Sequence, residues 1–175
     1  MTSARKSALV VLVPAAEPVV GPWRARLDPA ARQGVPAHVT ILCPFIPPSQ
    51  IGTDTIAALA SMFGSEAPFS MRLASIGWFD HQVVYCVPQP EERFRRLTER
   101  VVAQWPDFPP YGGAYKEVVP HLTVGDGAPL NDLRLAAADV ECRLPLHERV
   151  EAVHLMEGTD EPASWSVVRT FPLAT

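Results

Sequence analysis

The chain has 175 residues, 47% of them hydrophobic and 19% charged, with a formal net charge of −4. That length suits a single domain with a sizeable core, and the composition excludes a wholly disordered chain. The negative balance excludes a protein that coats nucleic acid through many cationic phosphate contacts, though not a pocket for one nucleotide or one RNA end.

Ser7–Val13 is rich in β-branched residues and predicts a buried first strand. Arg5 and Lys6 ahead of an apolar run resemble the start of a signal peptide. The run Ala8–Val13 is too short before Pro14 for that reading, and no segment is long and apolar enough to span a membrane. A helix is expected from Pro22 to Ala31, because proline is tolerated at a helix start. Gly34-Val35-Pro36 breaks the chain, Ala37–Cys43 predicts a strand, and Pro44 with Pro47-Pro48 ends it. Thr53–Phe63 predicts a helix capped by Thr53 or Asp54 and stopped by Gly64.

Phe69–Phe79 and Gln82–Val87 predict a hairpin around Asp80-His81. Glu91–Trp105 gives the clearest helix, with Phe94, Leu97, Val101 and Trp105 on one face and two acids near the positive end of the dipole. Pro106–Val119 is a loop, His121–Val124 a strand and Leu130–Ala138 a short helix. Arg149–Glu157 and Ser164–Phe171 are closing strands. This alternation, in two similar halves without a linker, predicts one α+β domain over residues 1–175. It is expected to be bilobal, two pseudo-symmetric antiparallel sheets with outer helices around a central cleft.

Two phrases stand out. "VPAHVTIL" (Val35–Leu42) and "VVPHLTVG" (Val118–Gly125) place His38 and His121 83 positions apart. Each histidine is followed by apolar-Thr-apolar. On a strand, residues i and i+2 share a face, so His38 and Thr40 point together, as do His121 and Thr123. The opposite face of each strand is apolar. Two imidazoles and two hydroxyls meeting in one cleft suit a phosphodiester. One histidine is the general base, the other the general acid at the leaving oxygen. The hydroxyls donate to non-bridging oxygens where charge builds.

Paired His-x-Thr-x phrases about eighty residues apart in a chain of this size resemble the 2H phosphoesterase superfamily, which includes the bacterial 2′,5′ RNA ligase/cyclic phosphodiesterase group. The resemblance implies a bilobal fold with a central cleft and metal-independent action on 2′,3′-cyclic phosphates or 2′,5′ linkages. His38 and His121 carry over as the catalytic pair, and Thr40 and Thr123 as substrate-binding residues. Opening a 2′,3′-cyclic phosphate to a 2′-phosphate is the expected reaction. Reversible 2′,5′ RNA ligation and a non-catalytic phosphate-binding module are the alternatives, and which histidine is the acid stays open.

The remaining candidates are weaker. Tyr115 could stack on a base and Lys116 meet a phosphate. Trp78 and Phe79 suit core packing better than base stacking. Arg93, Arg95, Arg96 and Arg100 form a basic helix face, diluted by Glu92 and Glu99, that reads as solvated. His81 and His147 are expected on the surface and His154 in a structural role. The spacing offers no metal site, and no cofactor is expected. Cys43, Cys86 and Cys142 are scattered and read as small buried hydrophobes of a reducing cytoplasm. The partner expected is an RNA 3′ end or a small cyclic nucleotide, met by a monomer without a membrane.

Overall fold

The computed structural model describes residues 4–174. Strand β1 (Lys6–Leu12) leads into α1 (Glu17–Leu27), the short α2 (Pro29–Arg32) and β2 (His38–Leu42). Helix α3 (Thr53–Gly64) crosses to β3 (Phe69–Phe79) and β4 (Val83–Gln89). Then come α4 (Glu91–Gln104), β5 (Leu122–Asp126) and α5 (Leu130–Glu141). Strands β6 (Leu146–Val150), β7 (Ala152–Gly158) and β8 (Ser166–Pro172) close the chain.

These strands form two four-stranded sheets, ordered β2-β1-β7-β8 and β5-β4-β3-β6, antiparallel throughout. In each sheet the strand that carries a histidine phrase lies at an edge, beside the strand that precedes it in the chain, so β1-α1-β2 corresponds to β4-α4-β5. The helices are exchanged between the lobes. Helix α1, which connects two strands of the first sheet, packs on β5 of the second, and α4 packs on β2 of the first. One core therefore runs through both lobes, joining Leu9, Val39 and Ile41 to Val84, Leu122 and Val124. The expected two-lobed α+β architecture is found, held together by a shared interior.

Several boundaries differ from the sequence expectations. The first helix starts at Glu17, with Pro18 in its first turn and Pro22 inside it. Buried Val20 draws the earlier turn into the core. That helix stops at Asp28, which is extended, the conformation favoured before a proline. The N-cap of α3 is Gly52, with no side-chain capping bond from Thr53 or Asp54. The single strand expected over Arg149–Glu157 is two strands in different sheets, β6 and β7, with only Glu151 between them. Val150 faces the core from one lobe and Val153 from the other, so the inward phase slips by one at Glu151.

Three other expectations concern surface groups. The Arg-rich face of α4 is tied up within the molecule. Arg95 pairs with Glu91, and Arg96 and Arg100 with Glu66, while Arg93 donates to the Ala67 carbonyl at 2.6 Å. His81 and His147 are exposed and His154 is half-buried. Only Cys86 of the cysteines is fully buried; Cys43 is half-buried and Cys142 exposed.

Candidate active site

The two phrases make the same local structure. His38 Nδ1 lies 2.7 Å from the Pro36 carbonyl, and His121 Nδ1 lies 2.7 Å from the Val119 carbonyl. In both cases the partner is two residues upstream, although the proline of the second phrase is displaced by one. A carbonyl only accepts, so Nδ1 carries the proton in each neutral ring and Nε2 keeps its lone pair free. Thr40 and Thr123 are half-buried, and neither hydroxyl is engaged by another described residue.

Both phrases also end on a β-bulge at the same position. Thr40 pairs with Val10, but the next pair is Leu42 with Leu9, which leaves Ile41 extra. Thr123 pairs with Tyr85, but the next pair is Gly125 with Val84, which leaves Val124 extra. The bulge shifts the face of everything after it. Gly125 would otherwise share a face with His121 and Thr123; Asp126 takes that place, opposite Val83. By the same register, Cys43 is the counterpart of Asp126 in the first lobe. The carbonyl of Ile41 accepts from Thr98 Oγ1 of α4 at 2.7 Å, so the exchanged helix satisfies a group at the bulge.

Strands β2 and β5 lie in contact, which brings the phrases to one place, and a charge on His121 would depress protonation of His38. Their surroundings differ. Behind His38 is a buried ion pair. Arg24 Nη2 lies 2.8 Å from Asp28 Oδ2, with both side chains almost fully buried. Arg24 also donates to the Val35 carbonyl at 3.0 Å, and Asp28 Oδ1 accepts from the Ala30 N–H at 2.9 Å. Glu17 accepts from the N–H of Ala37, next to the histidine. Burial and then the Arg24 charge push the His38 pKa down to about 4, against the opposing pull of the Pro36 carbonyl and Asp28.

His121 sits among aromatic rings. Phe79 meets it edge-on with centroids 5.0 Å apart, and Tyr85 lies at 5.5 Å. Phe79 and Tyr85 stack at 4.3 Å. Tyr85 lies over Gly77, where a Cβ would come within 2.5 Å of its ring, so a larger residue would displace the stack. Burial lowers the His121 pKa, while the Val119 carbonyl and Asp126 pull it back up. The Asp126 carboxyl is itself raised, by burial and then by Asp28.

A cavity of about 650 Å³ opens beside His121 and Thr123. Trp78, Phe79, Tyr111 and Tyr115 give it aromatic walls, and Asp80, Glu117 and Asp126 give it carboxylates. The Tyr111 N–H donates to the Cys43 carbonyl at 2.8 Å, which ties the 106–119 loop across to the first lobe. The Tyr111 hydroxyl is pushed up to about 12, chiefly by burial. Tyr111 and Tyr115 meet edge to face at 5.6 Å. Tyr115 therefore reaches the cavity, whereas Lys116 is exposed on the same loop and is not among the lining residues. Trp78 packs against the core and also lines the cavity, whereas Phe79 lines the cavity and stacks on Tyr85.

Sequence reasoning missed Asp126, Tyr85 and the Arg24–Asp28 pair. The signal for Asp126 was present in "TVGD", where the alternation of inward and outward residues loses its phase. No local pattern marks Arg24 as buried. Among the described residues no group of three or more His, Cys, Asp or Glu comes together in a way that could hold a metal ion.

The comparisons with known proteins bear on the family and the fold. The model for the 2′-5′ RNA ligase superfamily matches residues 12–162. The crystal structure of TT0787 of Thermus thermophilus superposes with a TM-score of 0.67 at 21% identity, covering 96% of this chain and 97% of that one. Escherichia coli LigT in its apo form gives a TM-score of 0.62 at 17% identity, covering 99% of this chain and all of LigT. LigT has also been solved with 3′-AMP, at a TM-score of 0.59 and 16% identity over 98% of this chain and 99% of that one. No curated protein matches the sequence.

Proposed function

The chain belongs to the 2′-5′ RNA ligase superfamily, and from that premise we propose that it is a phosphodiesterase that opens 2′,3′-cyclic phosphates to 2′-phosphates without a metal. One observation carries the reading. Two neutral imidazoles, each locked through Nδ1 to a backbone carbonyl, keep Nε2 free, and each has a threonine hydroxyl two residues on.

The roles follow from the surroundings. A general base must be neutral and a general acid protonated, and environments that push two pKa values apart assign them. His38, held low by burial and Arg24, takes the proton from water as it attacks phosphorus. His121, supported by Asp126, gives its proton to the departing 3′ oxygen. The phosphorus–O3′ bond breaks as the phosphorus–water-oxygen bond forms, leaving a 2′-phosphate and a 3′-hydroxyl. The Thr40 and Thr123 hydroxyls donate to the non-bridging oxygens. Thr40–His38 and Thr123–His121 approach from two lobes, as in-line displacement requires.

The test is ³¹P NMR of a short RNA and of a nucleoside, each ending in a 2′,3′-cyclic phosphate, incubated with the protein in EDTA. The expected product is the 2′-phosphate. Persistence of the cyclic signal in both samples, or a 3′-phosphate product, would overturn the proposed reaction.

A further inference from the structure

The cavity beside His121 has an unexpected charge for a site that holds a phosphate. Three carboxylates, Asp80, Glu117 and Asp126, line it, and no lysine or arginine is among the lining residues. The lysine of its loop, Lys116, stays outside, and the guanidinium near His38 belongs to Arg24, which is buried and spent on Asp28 and the Val35 carbonyl. Asp126 is no surface accident. The bulge at Val124 sets it on the face that carries His121 and Thr123, and its field reaches His121. Asp80 is fixed by the β3–β4 turn, where its φ is 50°.

We infer that these carboxylates, Asp126 foremost, are a charge filter: the site takes a nucleoside-sized substrate with one phosphate and rejects substrates carrying further phosphates. The inference rests on the phosphodiesterase reading for the identity of the reacting group. A cyclic diester bears one negative charge, which the hydroxyls and any protonated imidazole can meet. Each additional phosphate would have to approach three carboxylates with no lysine or arginine among the lining residues to offset them, and like charges at an exposed rim repel in a way that salt screens. The rest of the ligand is then uncharged and flat. Trp78, Phe79, Tyr111 and Tyr115 offer π-faces and edges to a base. Carboxylates accept from its exocyclic amine or from a ribose hydroxyl. The volume of about 650 Å³ lies within the usual range for small-molecule sites.

The experiment is isothermal titration of adenosine 2′-monophosphate and adenosine 2′,5′-bisphosphate at about 20 mM and about 200 mM salt. Wild type is compared with the triple variant Asp80→Asn, Glu117→Gln, Asp126→Asn. All three residues are exposed, and asparagine tolerates the positive φ at position 80. Wild type should bind the monophosphate about 10-fold more tightly than the bisphosphate at low salt, the order expected for a few partly screened charges. The gap should narrow at high salt and close in the triple variant. Equal or tighter binding of the bisphosphate, a gap that survives the variant, or no binding of either would overturn the filter. Turnover of the matching cyclic compounds is read in parallel. An affinity gap without turnover removes the phosphodiesterase reading and leaves the filter standing, whereas turnover without a gap does the reverse.

Discussion

The two lobes share a backbone and differ in what surrounds it. Each sheet sets a His-x-Thr strand at one edge beside the strand that precedes it in the chain, each imidazole is pinned through Nδ1 to the carbonyl two residues back, and each of these strands bulges just after the threonine. Around that repeat, the first lobe places a buried arginine and a thiol, and the second places stacked aromatic rings and a carboxylate. The lesson is a division of labour. In the proposed reaction, near-symmetry puts reactive groups on both sides of one phosphorus atom, and asymmetry of the neighbours decides which gives a proton and which takes one.

The harshest test of the shared half is removal of either imidazole. His38→Ala and His121→Ala should each lower kcat by about 10²–10⁴-fold, the usual worth of a positioned acid or base, with no comparable loss of folded protein by circular dichroism. Near-full activity in either variant would break the equivalence of the two phrases. Thr40→Ala and Thr123→Ala should cost less, about 10–100-fold, if each hydroxyl is one of two donors to the same charge.

The next test falls on the first lobe. Arg24→Met strands the Asp28 carboxylate in the interior and should destabilise the fold by about 3–5 kcal/mol, the usual cost of breaking a buried pair. Urea denaturation measures it. Replacing Asp28 as well, in Arg24→Met/Asp28→Leu, should recover part of the loss. A single variant as stable as wild type would show that the pair contributes nothing to holding the chain around His38.

The pH dependence sharpens the contrast without removing either group. As the base, His38 must be neutral, so kcat/KM should rise as pH climbs through about 4. As the acid, His121 must be protonated, so kcat/KM should fall through a pKa below the ordinary histidine value. The maximum therefore lies on the acid side of neutrality. Asp126→Asn removes a charge that favours the imidazolium and should move the falling limb to lower pH while leaving the rising limb in place. Movement of the rising limb instead would reverse the two roles. The same burial has a stability sign. The folded state disfavours protonated His38, so stability contributed by that group is present above the ordinary histidine pKa and is lost as pH falls through about 4.

Much of this was legible in the chain. The repeated phrase alone placed His38 with Thr40 and His121 with Thr123, because a period of two is a local property of strands. The α4 stripe of Phe94, Leu97 and Val101 was equally local, and it is buried as expected. What could not be read depended on partners distant in sequence. The exchange of α1 and α4 between lobes leaves no mark on either helix. The β6–β7 division is written only as a one-residue phase slip at Glu151. Arg24 looked like one more polar residue of a helix, since burial of its charge depends on Asp28 and on the Val35 carbonyl across the Gly34 turn.

The smallest effect tests how the symmetry is built. A bulge leaves a residue out of the ladder, and its carbonyl needs another partner when it is buried. In the first lobe Thr98 supplies it, reaching from α4 to the Ile41 carbonyl. Thr98→Val keeps the shape of the side chain and removes the donor, so it should cost about 1–2 kcal/mol, the penalty of one buried unsatisfied acceptor. Because Ile41 follows Thr40 directly, a loosened bulge should also lower kcat, and more than it raises KM, since in the proposed reaction the hydroxyl of Thr40 acts on charge that appears in the transition state. A stability loss with unchanged kcat would mean that the bulge is held by the strand itself and that α4 only covers it.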